Sequence, residues 1–324
     1  MSLSRSLQML TRAFVFPSQA RLKQPLLTPA EVLALRQQAH SSALSILTQR
    51  DSHHAQLGDV RSPQRGSGMD FDESRPYVAG DDRRFINWRL LARTGEMYLK
   101  LFHEERRSQL FLLLDRRATM RMGSQGCLKV TQAARLATLL SCLAKKEKMA
   151  VGAAVMNTTT HWHRPMSGEK ALHRLIEDYI APAPPLEDDA DADLQQILSH
   201  LQSQLPAGSV VVLISDFQEL DERHEAALWA LVSKHRVIAL TIHDPLERQL
   251  PKQKAMRFSS PHDGQIIELD GRDAEQAQRY QQAMQHHRNN IAQRLCSLGV
   301  ETHSFSTIDN VFDAGVLREH LYDQ

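Results

Sequence analysis

Two unbroken apolar runs, each followed by an aspartate, constrain the fold of this chain more than any other feature. Residues 110–114 precede Asp115, and residues 210–214 precede Asp216. Runs in which every residue is apolar are typical of strands buried on both faces of a parallel sheet. Open α/β sheets bind ligands at the carboxyl ends of such strands. The two aspartates therefore form a candidate site if their strands are neighbours.

The rest of the chain alternates between helical and extended patterns. Apolar residues at helical spacing predict helices over 29–48, 129–146, 169–180, 194–205, 221–234 and 273–298. Further patterns predict strands over 150–156, 160–164, 236–242 and 300–305, and a hairpin over 256–269. This alternation predicts an α/β fold with a doubly wound, mostly parallel sheet whose switch point is flanked by Asp115 and Asp216. We expect the sheet domain at 107–324, after a smaller amino-terminal module at 1–106.

The residues that follow the first run resemble a cation site. Positions 115–119 read Asp-Arg-Arg-Ala-Thr, which is similar to the Asp-x-Ser-x-Ser signature of von Willebrand factor A domains. Those domains hold a divalent cation through oxygen ligands at the top of the sheet, and Asp216 looks like their further aspartate. Arg117 stands in place of the first serine, whereas Thr119 keeps its hydroxyl. The resemblance implies a von Willebrand A-like sheet with a degenerate metal site.

An arginine in this position brings a fixed positive charge to the place of the cation. We therefore predict that no metal and no other cofactor binds, and that the guanidinium of Arg116 or Arg117 pairs with Asp115 and Asp216. Two alternatives stay open: a working Mg²⁺ site, and aspartates that only cap the helices that follow them. A metal-dependent hydrolase at Asp115 and Asp216 is disfavoured, because the sequence suggests no general base.

An arginine- and glycine-rich segment before the first apolar run carries the most specific motif. Residues 75–88 read Arg-Pro-Tyr-Val-Ala-Gly-Asp-Asp-Arg-Arg-Phe-Ile-Asn-Trp. This is similar to the signature of the bacterial domain of unknown function 58, which runs Arg-x-Tyr, Gly-Asp-x-x-Arg-x-Ile-Asp-Trp and a closing Ala-Arg. Asn87 stands where that signature has an aspartate. The matching residues are Arg75, Tyr77, Gly80, Asp81, Arg84, Ile86, Trp88, Ala92 and Arg93.

The motif has two physical interpretations. Its arginines could pair with acidic residues such as Asp70, Asp81 or Glu104 and join the amino-terminal module to the sheet, with Trp88 buried at the junction. Alternatively, the basic stretch 75–121 could bind phosphate or nucleic acid. We favour the structural interpretation and expect no nucleic-acid partner.

Composition excludes several classes of protein. The formal net charge of +1 gives no global attraction to nucleic acid, and no run approaches the ~18 apolar residues of a membrane span. Three widely spaced cysteines suit a reducing compartment. Residues 1–30 contain basic but no acidic residues, which suggests at most a weak membrane-surface contact. His161 and His163 lack an evident third metal ligand, and there is no phosphate-loop motif. We expect a cytoplasmic protein, peripheral to the inner membrane at most.

The family resemblance also implies a partner. Members of that family are usually encoded beside MoxR-type AAA+ ATPases. The resemblance therefore implies a non-enzymatic interaction protein that works with such an ATPase in the maturation of other proteins. Other von Willebrand A-domain proteins are further expected partners. The expected partner-binding residues are Asp115, Arg116, Arg117 and Asp216, at the face where von Willebrand A domains dock their partners.

Overall fold

The computed structural model describes residues 24–42, 69–78, 84, 86–104, 109–183, 192–252, 255–259, 266–313 and 315–317. These residues fall into two compact units. The larger unit contains the described residues of 24–42 and 109–317, and the smaller one those of 69–104. The basic segment 1–23, the predicted turn at Gly80 and Asp81, and the acidic stretch 187–191 lie outside the described residues.

Seven helices and ten strands are described. The helices are α1 (Pro29–Ser41), α2 (Trp88–Thr94), α3 (Lys129–Lys146), α4 (Glu169–Ile180), α5 (Leu194–Gln204), α6 (Glu225–Val232) and α7 (Ala274–Ser297). The strands are β1 (Met69–Pro76), β2 (Tyr98–Glu104), β3 (Gln109–Asp115), β4 (Ala150–Met156), β5 (Thr160–Met166), β6 (Val210–Ser215), β7 (Arg236–His243), β8 (Ala255–Ser259), β9 (Ile266–Asp270) and β10 (Glu301–Ser306). The predicted helix 221–234 is divided into a 3₁₀ turn at Glu222–His224 and α6.

The larger unit is built on one six-stranded sheet with the order β10-β7-β6-β3-β4-β5. Every neighbouring pair is parallel except β4 and β5, which are antiparallel. The first connection runs from β3 to β4 and a later one brings the chain back to β6 on the other side of β3. The expected doubly wound α/β fold is confirmed, with the switch point between β3 and β6.

Burial on both faces explains why the first apolar run forms a central strand. Phe111 and Leu113 pack into a core with side chains of α5, α6 and α7. The alternate residues Leu110, Leu112 and Leu114 are also buried and point to the opposite face, since side chains alternate along a strand. Each fully buried side chain of this size stabilises the fold by about 1.5–3 kcal/mol.

Helix α1 belongs to the larger unit. It begins as predicted, because Thr28 and Glu31 form a reciprocal capping box and Pro29 occupies the first turn. The Glu31 carboxylate accepts a 2.6 Å hydrogen bond from Arg135 of α3, against which α1 packs. The helix ends at Ser41 rather than at residue 48, and residues 43–50 lie outside the described part. A single amino-terminal module over 1–106 is therefore wrong where it includes α1.

The smaller unit is an antiparallel pair, β1 with β2, with α2 between them in sequence. Asn87 caps α2 by accepting a 3.2 Å hydrogen bond from the Leu90 amide, and Gly95 ends the helix with a φ of +77°. Trp88 is 63% exposed, so the expectation that its side chain is buried is wrong. The Arg75 side chain lies outside the described residues, and Arg93 is exposed.

Candidate functional site

The two strand-end aspartates lie side by side at the switch point. Asp115 ends β3, and Asp216 follows β6, its parallel neighbour. Ser215 connects Asp115 to the loop after β6, because its hydroxyl donates to Asp115 Oδ2 at 2.6 Å and accepts from the Phe217 amide at 3.0 Å. Phe217 has a φ of +53°, an uncommon conformation for a residue other than glycine and one often found at functional positions. Both aspartates are buried.

Arg117 satisfies Asp115 from within the chain. Its Nε donates to Oδ1 at 3.0 Å and its Nη2 to Oδ2 at 2.9 Å, while its amide adds a third bond to Oδ1. Its Nη1 donates to Glu219 Oε2 at 2.5 Å. Burial alone would raise the pKa of Asp115, but the Arg117 charge and these hydrogen bonds hold it below its usual value. The same carboxylates raise the pKa of Arg117, so this pair stays ionised.

Lys129 occupies the equivalent position beside Asp216. Its Nζ lies 2.7 Å from Asp216 Oδ2 and 2.7 Å from Glu247 Oε1. All three side chains are buried, and burial would lower the pKa of Lys129, yet the two carboxylates raise it. Burial raises the pKa of Glu247. The prediction that an arginine pairs with Asp216 is wrong, because the first turn of α3 brings Lys129 to that carboxylate instead.

Arg116 lies outside this network. Its Nη1 donates to the Asp178 carbonyl at 2.7 Å and its Nη2 to the carbonyls of Ala181 and Pro182 at 2.6 and 3.0 Å. It therefore ties down carbonyl groups at the end of α4, which lack partners within the helix. Burial lowers the pKa of Arg116 to about 10. The expectation that Arg116 and Arg117 offer their guanidinium groups to a partner is wrong, since both are buried and bonded internally.

A third strand-end aspartate, Asp244, connects three loops at the same edge. It follows β7 and accepts hydrogen bonds from the Ser124 amide and from Thr307 Oγ1, both at 2.8 Å, and from the Ser124 hydroxyl. It also caps the turn Pro245–Glu247 by accepting from the Leu246 amide at 2.9 Å. Sequence reasoning missed Asp244, although it follows a predicted strand in the same way as Asp115 does. The loops after β3, β7 and β10 are thereby held together.

The residues at this edge do not fit a divalent cation. Both oxygens of Asp115 accept hydrogen bonds from Arg117, and those of Asp216 accept from Lys129 and from the Gln218 amide. A cation close to these oxygens would lie near the Lys129 ammonium, and two cations repel strongly at short range in a buried site. Thr119, the remaining candidate ligand, lies in the buried 3₁₀ turn Ala118–Arg121.

Two other candidate sites from the sequence are the histidine pair His161 and His163 and the basic stretch 75–121. His161 Nδ1 and His163 Nε2 both contact the Asp178 carboxylate, at 3.2 and 2.8 Å; among the described residues no group of three or more His, Cys, Asp or Glu side chains is arranged to hold a metal. Arg121, like Arg116 and Arg117, is buried, so the basic stretch 75–121 is not a continuous exposed surface.

None of the helices that the structure describes is long and apolar enough to cross a membrane.

Two solved structures show limited similarity to this chain. Conserved hypothetical protein BatB from Bacteroides thetaiotaomicron has a TM-score of 0.36 and 13% identity, covering 59% of this chain and 98% of that one. An uncharacterized membrane spanning protein from Vibrio fischeri has a TM-score of 0.22 and 13% identity, covering 65% and 94%. Similarity at this level indicates neither a function nor a ligand.

Relatives in mycobacteria are closer in sequence. Uncharacterized protein Mb1516 of Mycobacterium bovis is 25% identical over 243 residues, which is 75% of this chain and 76% of that protein. Uncharacterized protein Rv1480 of Mycobacterium tuberculosis matches to the same extent. The family model described as protein of unknown function DUF58 matches residues 73–290. Because that match spans more than half of the chain, the protein belongs to the DUF58 family.

Proposed function

We propose that this protein is a non-enzymatic interaction module that docks a partner protein at the carboxyl edge of its sheet. The observation that carries the proposal is the internal neutralisation of the strand-end carboxylates by Arg117 and Lys129. A carboxylate that is already bonded to a buried cation, with its pKa lowered as for Asp115, is a weak base and a poor nucleophile. The same pairs stabilise one conformation of the edge.

The loops at this edge present an exposed apolar residue. Ile308 is 56% exposed and follows Thr307, which is bonded to Asp244. Gly126 lies against this loop: a Cβ atom there would be 2.8 Å from the Thr307 carbonyl oxygen and 3.5 Å from Ile308 Cα. Loops that are ordered before binding lose less conformational entropy when a partner docks. This edge therefore suits a docking surface with Ile308 as an apolar contact.

A MoxR-type AAA+ ATPase is the proposed partner, acting with this protein in the maturation of other proteins. The support is the resemblance of the motif over 75–93, whose relatives are usually encoded beside such ATPases. Other von Willebrand A-domain proteins are further candidate partners. The proposal includes the cytoplasmic location expected from the sequence, with weak membrane-surface contact through the basic residues of 1–23.

An affinity titration of the purified protein with its cognate ATPase tests the proposal. We expect Ile308→Asp to weaken binding by about tenfold or more, as for a central apolar contact. Leu33→Asp is the matched control, because Leu33 is 57% exposed but lies on α1. EDTA should leave binding unchanged once the magnesium bound to the ATPase itself is controlled for. No measurable binding, or equal losses in the two variants, would contradict the proposal.

A further inference from the structure

A cleft of about 280 Å³ with both polar and apolar lining residues lies between α7 and the carboxyl halves of β7 and β10. This volume is close to the lower end of the range for small-molecule pockets, about 300–1,000 Å³. The strands contribute the hydroxyls of Thr241, Thr302 and Ser304, and α7 contributes Arg288 and Asn289. The cleft thus lies at the carboxyl ends of parallel strands, where open α/β sheets bind their ligands.

Polar side chains replace apolar ones where β7 lines this cleft. Along β7, Val237 and Ala239 face the apolar core, where they pack with Ile291 of α7. Thr241 and His243 follow Ala239 by two and four residues. They lie on the same face of β7 as Ala239, because side chains alternate along a strand. Burying polar groups under a helix costs free energy unless they are hydrogen-bonded. The face therefore changes from core to polar lining where the cleft begins.

The charges in the cleft favour an anion. Asp216 and Glu247 line it, but Lys129 already lies 2.7 Å from each carboxylate. Arg288 donates from Nη1 to the Glu247 carbonyl at 2.7 Å, and burial together with the nearby charge of Arg248 lowers its pKa. Neither Arg248 nor Arg288 forms an ion pair with another described residue. Lys129, Arg248 and Arg288 therefore carry one positive charge more than the negative charge of Asp216 and Glu247 together.

His243 adds a neutral hydrogen-bonding group to the wall. It is buried, and its Nδ1 lies 3.1 Å from Ser304 Oγ. Burial and the positive charges of Arg248, Arg288 and Lys129 lower the pKa of His243 to about 3, against a smaller opposing effect of Asp244. The imidazole is thus uncharged at neutral pH, and the excess positive charge of the cleft comes from Arg248 and Arg288.

We propose that this cleft binds a small phosphate monoester. The phosphate group would lie between Arg248 and Arg288, because guanidinium groups match the geometry of phosphate oxygens. The organic part would face the hydroxyls of Thr302 and Ser304. This site goes beyond the docking function and does not depend on it. It also differs from the basic stretch 75–121, which contains neither arginine.

Calorimetric titration of the full chain at constant ionic strength tests this site. The probes are glycerol 3-phosphate, inorganic phosphate and glycerol. We expect saturable binding of glycerol 3-phosphate and none of glycerol, while binding of inorganic phosphate alone would show that the phosphate group carries the recognition. Arg248→Gln should weaken binding by about tenfold or more, as expected for loss of a charged hydrogen-bonding group. Arg248 is exposed, so this variant should fold normally. Arg288→Gln is a second variant, at the more buried arginine of the cleft.

Arg279→Gln is the matched control. Arg279 lies on α7, is exposed, and pairs with Glu275 at 2.5 Å outside the cleft. Its replacement should leave the affinity for glycerol 3-phosphate unchanged. The proposal is overturned if the wild-type protein binds neither phosphate probe, if glycerol binds as tightly as its phosphate ester, or if Arg248→Gln and Arg279→Gln have the same effect.

Discussion

Replacing Lys129 by methionine should destabilise the protein and make its stability depend strongly on pH. Lys129 Nζ lies 2.7 Å from both Asp216 and Glu247, and the side chains of all three residues are at most 3% exposed. Removing one partner from a buried ion pair costs about 3–5 kcal/mol, because the remaining charge loses its compensation. Here two carboxylates lose the same cation and face each other, so we expect a cost at the upper end of that range at neutral pH.

The pH dependence identifies the cause. Burial already raises the pKa of Glu247 in the wild-type protein, and loss of the ammonium raises it further. A carboxyl group with a raised folded-state pKa stabilises the protein at low pH, and this contribution is lost as pH rises through that pKa. The cost of Lys129→Met should therefore shrink as pH falls from 7.5 towards 5, by up to about 1.4 kcal/mol per pH unit.

Urea unfolding at pH 5 and at pH 7.5, followed by circular dichroism, measures both effects. Lys145→Met is the control on the same helix, since Lys145 is 44% exposed in its pair with Glu169 and such surface pairs contribute about 0–1 kcal/mol. Glu247→Gln added to Lys129→Met should recover part of the lost stability. A Lys129→Met protein as stable as the wild type, or equally destabilised at both pH values, would refute the reasoning.

Three further changes test other parts of the structure. Burial lowers the pKa of His235 and lowers that of His243 to about 3. The free energy of unfolding should therefore fall as pH drops below ~6.5, with His243 contributing up to about 1.4 kcal/mol per pH unit. Urea titrations from pH 7 to 5 should show a smaller fall in His243→Gln. Gly126→Ala should destabilise the protein more than Gly208→Ala does, as measured by thermal unfolding. Both glycines have positive φ, so each substitution brings backbone strain of about 1–2 kcal/mol. Only at Gly126 would the added Cβ also meet the Thr307 carbonyl oxygen. Trp88→Ala should change the unfolding free energy by less than about 0.5 kcal/mol, because Trp88 is largely exposed, and a loss of several kcal/mol would show that it is buried in solution.

The fold could be predicted from the sequence because the apolar patterns are long and regular. The helices over 129–146 and 169–180 and the strand 150–156 have the predicted bounds. A strand that is apolar on every residue must lie inside a sheet covered on both faces, which placed β3 and β6 centrally. The helix boundaries at Ser41 and at Glu225 differ from the predicted ones, because the apolar pattern there is weak and tertiary contacts decide where a helix begins or ends.

The candidate site could be predicted only where local geometry determines it. Arg117 is two residues from Asp115 and lies on the same side of an extended chain, whereas Arg116 points to the other side. That alternation is available from the sequence and favours Arg117 over Arg116. Lys129 carries no comparable signal, because a single lysine in the first turn of an amphipathic helix is usually solvated, and only the packing of α3 against the sheet brings it to Asp216. Glu247 joins them through the turn that follows β7.

Buried ion pairs are a poor means of gaining stability, since apolar side chains of similar volume often stabilise a protein as well or better. The carboxyl edge nevertheless has a buried carboxylate at the end of each of three neighbouring strands, at Asp115, Asp216 and Asp244. Each accepts a hydrogen bond from a side chain of another element: Ser215 of β6, Lys129 of α3 and Thr307 after β10. Their common effect is to fix the positions of the loops relative to one another. An edge held by a bound metal would change with the concentration of that ion, whereas one held by Arg117 and Lys129 keeps the same charges at any ion concentration. Such an edge suits the constitutive docking that we propose, and it explains why EDTA is the informative perturbation for binding while Lys129→Met is the informative one for stability.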